Sequence, residues 1–173
     1  MSKWGQSKTT GFVALACIVP WAVFLGGLAK LTDETVGHNF SEALKQVLLM
    51  LEWYIIAAQF FCVLAILITS FGRGLHRAHS LLNMFLAVNS ILLISRATVR
   101  INQINRISDG EPASILLNIP DLEGNGLPFL RAIAAGQVAT ATCNFFLAIL
   151  IGVAGTHPAE EFVYGRRHAT TSA

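Results

Sequence analysis

The chain has 173 residues, of which 54% are hydrophobic and only 13% are charged, with a formal net charge of +2. The charged fraction is about half of that in an ordinary soluble domain. This composition disfavours a soluble domain and a nucleic-acid-binding surface, and it indicates a membrane protein.

Four apolar windows predict four membrane-spanning helices. A hydrocarbon core of about 30 Å requires roughly 17 to 25 helical residues. The windows are residues 11–29, 53–71, 80–95 and 132–155. The first window could be a cleaved signal, but it lacks a clean small-residue cleavage site and Pro20 interrupts it. We therefore interpret it as a permanent span.

The second and third predicted helices extend beyond the bilayer on the same side. The stretch "NFSEALKQVLLMLEWY" has apolar residues at helical spacing before the second span, and "RATVRINQINRI" continues the third until "SDGEP" stops it. The predicted fold is all-α: a polytopic membrane protein with a four-transmembrane-helix bundle, whose helices 2 and 3 are extended on the outer side. The bundle is predicted to form one domain over residues 1–173, with a polar tail at residues 156–173.

The distribution of lysine and arginine predicts the orientation. An even number of spans places both tails and the turn between spans two and three on one side. Both sides carry six lysines and arginines, but on this side they lie in short segments. Short flanks dominate the positive-inside rule, so both termini are predicted to be cytoplasmic. The sequon "NFS" makes Asn39, in the loop placed outside, a possible glycosylation site.

The fourth span carries a small or modestly polar residue at every fourth position. This stripe consists of Ala132, Gly136, Thr140, Asn144, Ala148 and Gly152. Small ridges let helix backbones approach closely in lipid, so the stripe predicts helix packing. Polar side chains inside the spans include the four amides Gln59, Asn89, Gln137 and Asn144. They predict interhelical hydrogen bonds; the alternative is a polar transport path.

Charged residues suggest a pairing at the outer boundary. Glu52 begins span two at the level at which Arg96 ends span three and Arg131 begins span four. A lone charge there would be unfavourable, so we expect Glu52 to pair with one of these arginines. A proton or ion relay through Glu52 is the alternative.

The turn between spans two and three concentrates Arg73, His76, Arg77 and His79. The simplest interpretation is a cytoplasmic turn whose cations face water and anionic lipid headgroups. A metal site is disfavoured, because two arginines flank the histidines and no third ligand is near. The sequence "HRAH" also partly matches the glutathione-using membrane transferases. We predict no catalytic residue, no cofactor and no metal.

Four spans, a short basic turn, outer loops without cysteine and the last span "LRAIAAGQVATATCNFFLAILIG" resemble the MARVEL superfamily and its Casparian-strip-like relatives. The residues in the shared pattern are Arg131, Ala132, Ala135 and residues 144–146. The resemblance implies a non-enzymatic role in membrane domains, vesicle traffic or junction-like scaffolds.

Three hypotheses of function follow. The first is a membrane-organising protein that assembles laterally as a homo-oligomer or with other membrane proteins, in contact with membrane lipids. The second is an accessory subunit of a larger membrane complex. The third is a small membrane transferase that acts on lipid or thiol substrates.

Overall fold

A computed structural model describes residues 3–36, 42–72, 74–110 and 126–156 of the chain. Its helices are α1 (Lys3–Ala16), α2 (Ile18–Val36), α3 (Glu42–Phe71), α4 (Leu75–Ser108) and α5 (Gly126–Thr156). Four segments are long and apolar enough to cross a membrane: Ser7–Asp33, Met50–Phe71, Arg77–Ser108 and Leu127–Ala154. The predicted all-α, multi-pass membrane bundle is therefore confirmed.

The helices α1 and α2 form one span with an interruption at Cys17. Proline has no backbone N–H, so Pro20 cannot continue the hydrogen-bond ladder of the helix. The Cys17 N–H still donates to the Val13 carbonyl at 3.0 Å, which keeps the two parts together. Beyond the interruption, Trp21 Nε1 donates to the Ile56 carbonyl of α3 at 3.1 Å. This bond joins the first span to the second.

The helices α3 and α4 are much longer than a bilayer requires. They contain 30 and 34 residues, which gives lengths of about 45 and 50 Å at 1.5 Å per residue, against a core of about 30 Å. We call the end of the bundle where α3 begins and α4 ends the distal end. Both helices project there, as predicted for helices 2 and 3.

The third helix is longer than the predicted span of residues 80–95, as its predicted extension requires. Helix α4 continues to Ser108, and Gly110 follows it in the left-handed region at φ +97°. Arginines and asparagines lower the hydropathy after residue 95, but they are good or tolerable helix residues. Hydropathy therefore underestimated the length of the helix, whereas the "SDG" stop signal gave its end.

The apolar core consists of two clusters at different depths. The distal cluster contains Phe24, Leu28, Leu31, Ile55, Ile56, Leu93, Leu130, Ile133 and Ala141. The proximal cluster contains Ala14, Cys17, Cys62, Ile66, Leu75, Leu82, Leu86, Leu147 and Ile151. On α3, α4 and α5, a buried amide residue stands between the members of one cluster and those of the other. A polar layer therefore divides the core in two.

The helices α2 and α5 approach each other closely through glycine. A Cβ atom on Gly136 would lie 2.6 Å from the backbone nitrogen of Phe24, and one on Gly27 would lie 2.9 Å from Ile133 Cγ1. Neither position has room for a side chain. Glycine at these two positions therefore permits the contact between the first and fourth spans.

Candidate functional site: two buried polar layers

The distal polar layer is built around Glu52, which is completely buried on α3. Arg100 of α4 donates from Nε to Glu52 Oε1 and from Nη2 to Oε2, both at 2.9 Å. Arg96 Nη2 lies 3.4 Å from Oε1, and Arg100 Nη1 donates to Gln103 Oε1 at 2.9 Å. We call Glu52, Arg96, Arg100 and Gln103 the ion cluster.

The helical spacing of α4 explains how the ion cluster forms. Residues 96, 100 and 103 are separated by four and three positions, which places them on one helix face. A buried carboxylate is tolerated only when close pairing and further hydrogen bonds compensate for its lost hydration. The two-pronged contact with Arg100 is the strongest arrangement available to a carboxylate. Both carboxylate oxygens are committed, so the arrangement favours a structural role for Glu52 over a proton relay.

The second polar layer contains only amides. Gln59 of α3 and Asn144 of α5 exchange two hydrogen bonds: Gln59 Nε2 donates to Asn144 Oδ1 at 2.8 Å, and Asn144 Nδ2 donates to Gln59 Oε1 at 3.0 Å. Asn89 Nδ2 of α4 donates to the same Gln59 oxygen at 2.7 Å. We call Gln59, Asn89 and Asn144 the amide triad. It joins three helices at the depth where the two apolar clusters meet.

Gln137, the fourth amide predicted inside the spans, does not belong to the amide triad. Gln137 is completely buried, and among the described residues neither its Nε2 nor its Oε1 has a hydrogen-bond partner. The triad thus has the interhelical hydrogen bonds that the sequence predicts, whereas Gln137 has none. Sequence periodicity places all four residues inside the bundle but does not say which of them meet.

The arginines expected to pair with Glu52 occupy different environments. Arg96 lies within ion-pair distance of Glu52, but Arg131 has an exposed side chain and Glu52 meets Arg100 instead. Of the two arginines, Glu52 thus pairs with Arg96 and not with Arg131, and its closer partner Arg100 was missed. The signal that could have found Arg100 is its position one helical turn beyond Arg96, on the same face.

The predicted small-residue stripe of α5 lies along the inside of the bundle. Three of its members are buried: Gly136 against Phe24, Thr140 with its hydroxyl bonded to the Gly136 carbonyl, and Asn144 in the triad. The other three, Ala132, Ala148 and Gly152, are half-buried. The stripe is used for packing within this chain.

The structure describes the side chains of only two of the four basic residues in the turn between spans two and three. Arg77 is exposed and His79 is half-buried. Arg73, the His76 side chain, Asn39 and the tail after residue 156 lie outside the residues that the structure describes. Within the described segments, no group of three or more His, Cys, Asp or Glu residues could hold a metal ion.

Comparison with protein-family models, with curated proteins and with solved structures finds no match for this chain.

Proposed function

We propose that this chain is a non-enzymatic integral membrane protein that organises membrane regions by assembling laterally with further copies of itself. In this proposal both termini face the cytoplasm, where the basic turn meets anionic lipid headgroups. The observation that carries the proposal is an exposed face of α2 on which three small residues, Ala22, Gly26 and Ala29, lie beside Val19 and Val23. Among the described residues, no atom lies within 4 Å of a Cβ atom placed on Gly26.

The spacing of these residues suits a helix interface. Steps of four and three positions place Ala22, Gly26 and Ala29 on one face of α2, within a predicted membrane span. Lipid tails are as apolar as leucine, so helices associate in a membrane through close packing and hydrogen bonds rather than through the hydrophobic effect. A face of small residues allows that close packing.

Small residues already bring two helices into close contact inside the bundle. Gly27 and Gly136 bring α2 and α5 together, whereas the neighbouring Gly26 points to open space. The stripe on α5 is occupied by this internal contact, so the assembly face is assigned to α2. The resemblance to the MARVEL superfamily, stated above on the last span, implies the same kind of role.

The substitution Gly26→Leu tests the proposal without disturbing the monomer, because the site has room for a side chain. We expect the native mass in mild detergent or nanodiscs to fall from an oligomer to a monomer, while the helical content measured by circular dichroism stays unchanged. The leucine side chain would hold the α2 backbone of one copy away from the neighbouring copy.

The matched control is Ala57→Leu, which enlarges another exposed small residue, on α3. Its flanking positions on the exposed face carry the large side chains of Tyr54 and Phe61, so we expect it to leave the oligomer intact. An oligomer that survives Gly26→Leu, or a wild-type protein that is monomeric in nanodiscs, would contradict the proposal.

A second candidate function is an accessory subunit of a larger membrane complex, and the distal part of α4 favours it. Val99 and Ile101 are exposed close to the polar side chains of Asn102 and Arg106. Thr98 is exposed and Gln103 is half-buried on the same part of α4. Affinity purification from native membranes distinguishes the two functions, because a fixed set of foreign subunits would identify an accessory subunit.

A further inference from the structure

Gln137 is a buried amide whose hydrogen-bonding groups are unused. Its side chain on α5 is completely buried, and both Nε2 and Oε1 lack a partner within the part of the chain that the structure describes. Nearly all buried polar groups in proteins are hydrogen-bonded to protein or to water, so each exception requires an explanation. The amide triad shows what a bonded amide looks like in the same bundle, since Gln59 forms hydrogen bonds with both Asn144 and Asn89.

The depth of Gln137 follows from its spacing to the triad. Gln137 precedes Asn144 by seven residues, Glu52 precedes Gln59 by seven, and Arg96 follows Asn89 by seven. Seven residues are almost two helical turns, or about 10 Å along the axis, so each pair shares a helix face. Gln137 therefore lies on the interior face of α5, at the depth of the ion cluster.

The chemistry of an amide restricts what can bind there. The nitrogen donates two hydrogen bonds and the oxygen accepts them. An anion would leave the Gln137 oxygen unpaired, and a cation would leave the nitrogen unpaired. A cation would also find no free carboxylate, because both oxygens of Glu52 accept hydrogen bonds from arginine. The ligand must both donate and accept, and it must be small enough for a fully enclosed side chain.

Water fulfils both conditions. Buried waters in proteins typically make about three hydrogen bonds to polar groups that are otherwise unsatisfied. We propose that Gln137 is the protein ligand of a buried water site in the distal half of the bundle, at the depth of the ion cluster. This site is independent of the assembly proposed above. The amide triad lies about 10 Å further along the bundle axis.

The site is tested by nuclear magnetic resonance on the full chain in nanodiscs, with glutamine side chains labelled with ¹⁵N. We expect the Gln137 amide protons to receive magnetisation from water. Two glutamines of the same chain serve as controls. Gln59 is equally buried but bonded to Asn144, so its transfer should be much weaker, and the half-buried Gln103 should show strong transfer.

The Gln137 signal is assigned by its loss in Gln137→Leu, or in Gln137→Met if the first variant does not fold. Deuterated phosphatidylcholine, which has no hydroxyl group and no C–H protons, removes the lipid as a source of the magnetisation. A Gln137 signal as isolated from water as that of Gln59 would overturn the proposal, and so would transfer that comes from lipid alone.

Discussion

The ion cluster and the amide triad both join α3 to α4, but they do so with different chemistry. The ion cluster buries full charges, with Glu52 held between Arg100 and Arg96. The triad buries neutral dipoles and adds α5 through Asn144. A broken charge pair leaves a buried charge behind, whereas a broken amide pair leaves only an unsatisfied dipole. The two layers should therefore differ in how strongly a single substitution affects stability.

The largest effect is expected from Glu52→Ala. Removal of the carboxylate leaves Arg100 almost fully buried without its counter-charge, a situation that destabilises proteins by about 3–5 kcal/mol. Thermal unfolding in detergent measures the loss. The double variant Glu52→Leu, Arg100→Leu should recover part of it, because it removes both charges. A loss below about 1 kcal/mol for Glu52→Ala would mean that the arginines reach water without a partner.

A smaller loss is expected from Asn144→Leu, which removes two hydrogen bonds to Gln59. Interhelical hydrogen bonds in membrane proteins contribute roughly 0.6 kcal/mol on average and about 1.7 at most. We therefore expect a loss of about 1–2 kcal/mol in the same unfolding assay. Asn89→Leu is the matched comparison, since it removes one bond to Gln59 and should have about half the effect. Equal losses for the two variants would show that the two bonds between Gln59 and Asn144 stabilise the protein no more than the single bond from Asn89 does.

The two layers were not equally predictable from the sequence. Hydropathy and helical periodicity gave the number of spans and the projection of α3 and α4, because these depend on composition along one helix at a time. They also placed Gln59, Asn89 and Asn144 inside the spans. Periodicity gives no rotation of one helix relative to another, so it could not say that these three amides meet while Gln137 stays apart.

The ion cluster shows the same limit more clearly. Glu52, Arg96 and Arg131 were grouped only because they lie at a similar depth in the bundle. This criterion identified a partner of Glu52 in the case of Arg96. Arg100 was overlooked although it stands one turn beyond Arg96 on the same face, where a side chain can reach back to Glu52.

The small-residue stripe of α5 was likewise visible as a ridge. Only the packing of Gly136 against Phe24 shows that this ridge is used inside the chain.

The smallest effect is expected from Arg131→Ala, which removes one of the two arginines predicted at the depth of Glu52. Its side chain is exposed and makes no ion pair with Glu52. Surface substitutions away from special features usually change stability by no more than about 0.5 kcal/mol. We expect a change within this range by thermal unfolding, while Arg100→Ala in the same assay produces a loss comparable to that of Glu52→Ala. Because both arginines carry the same charge at similar depth, the difference between the two variants measures the contribution of helix rotation. Equal losses would mean that Glu52 exchanges partners between α4 and α5, and the distal layer would then join all three helices, as the amide triad does.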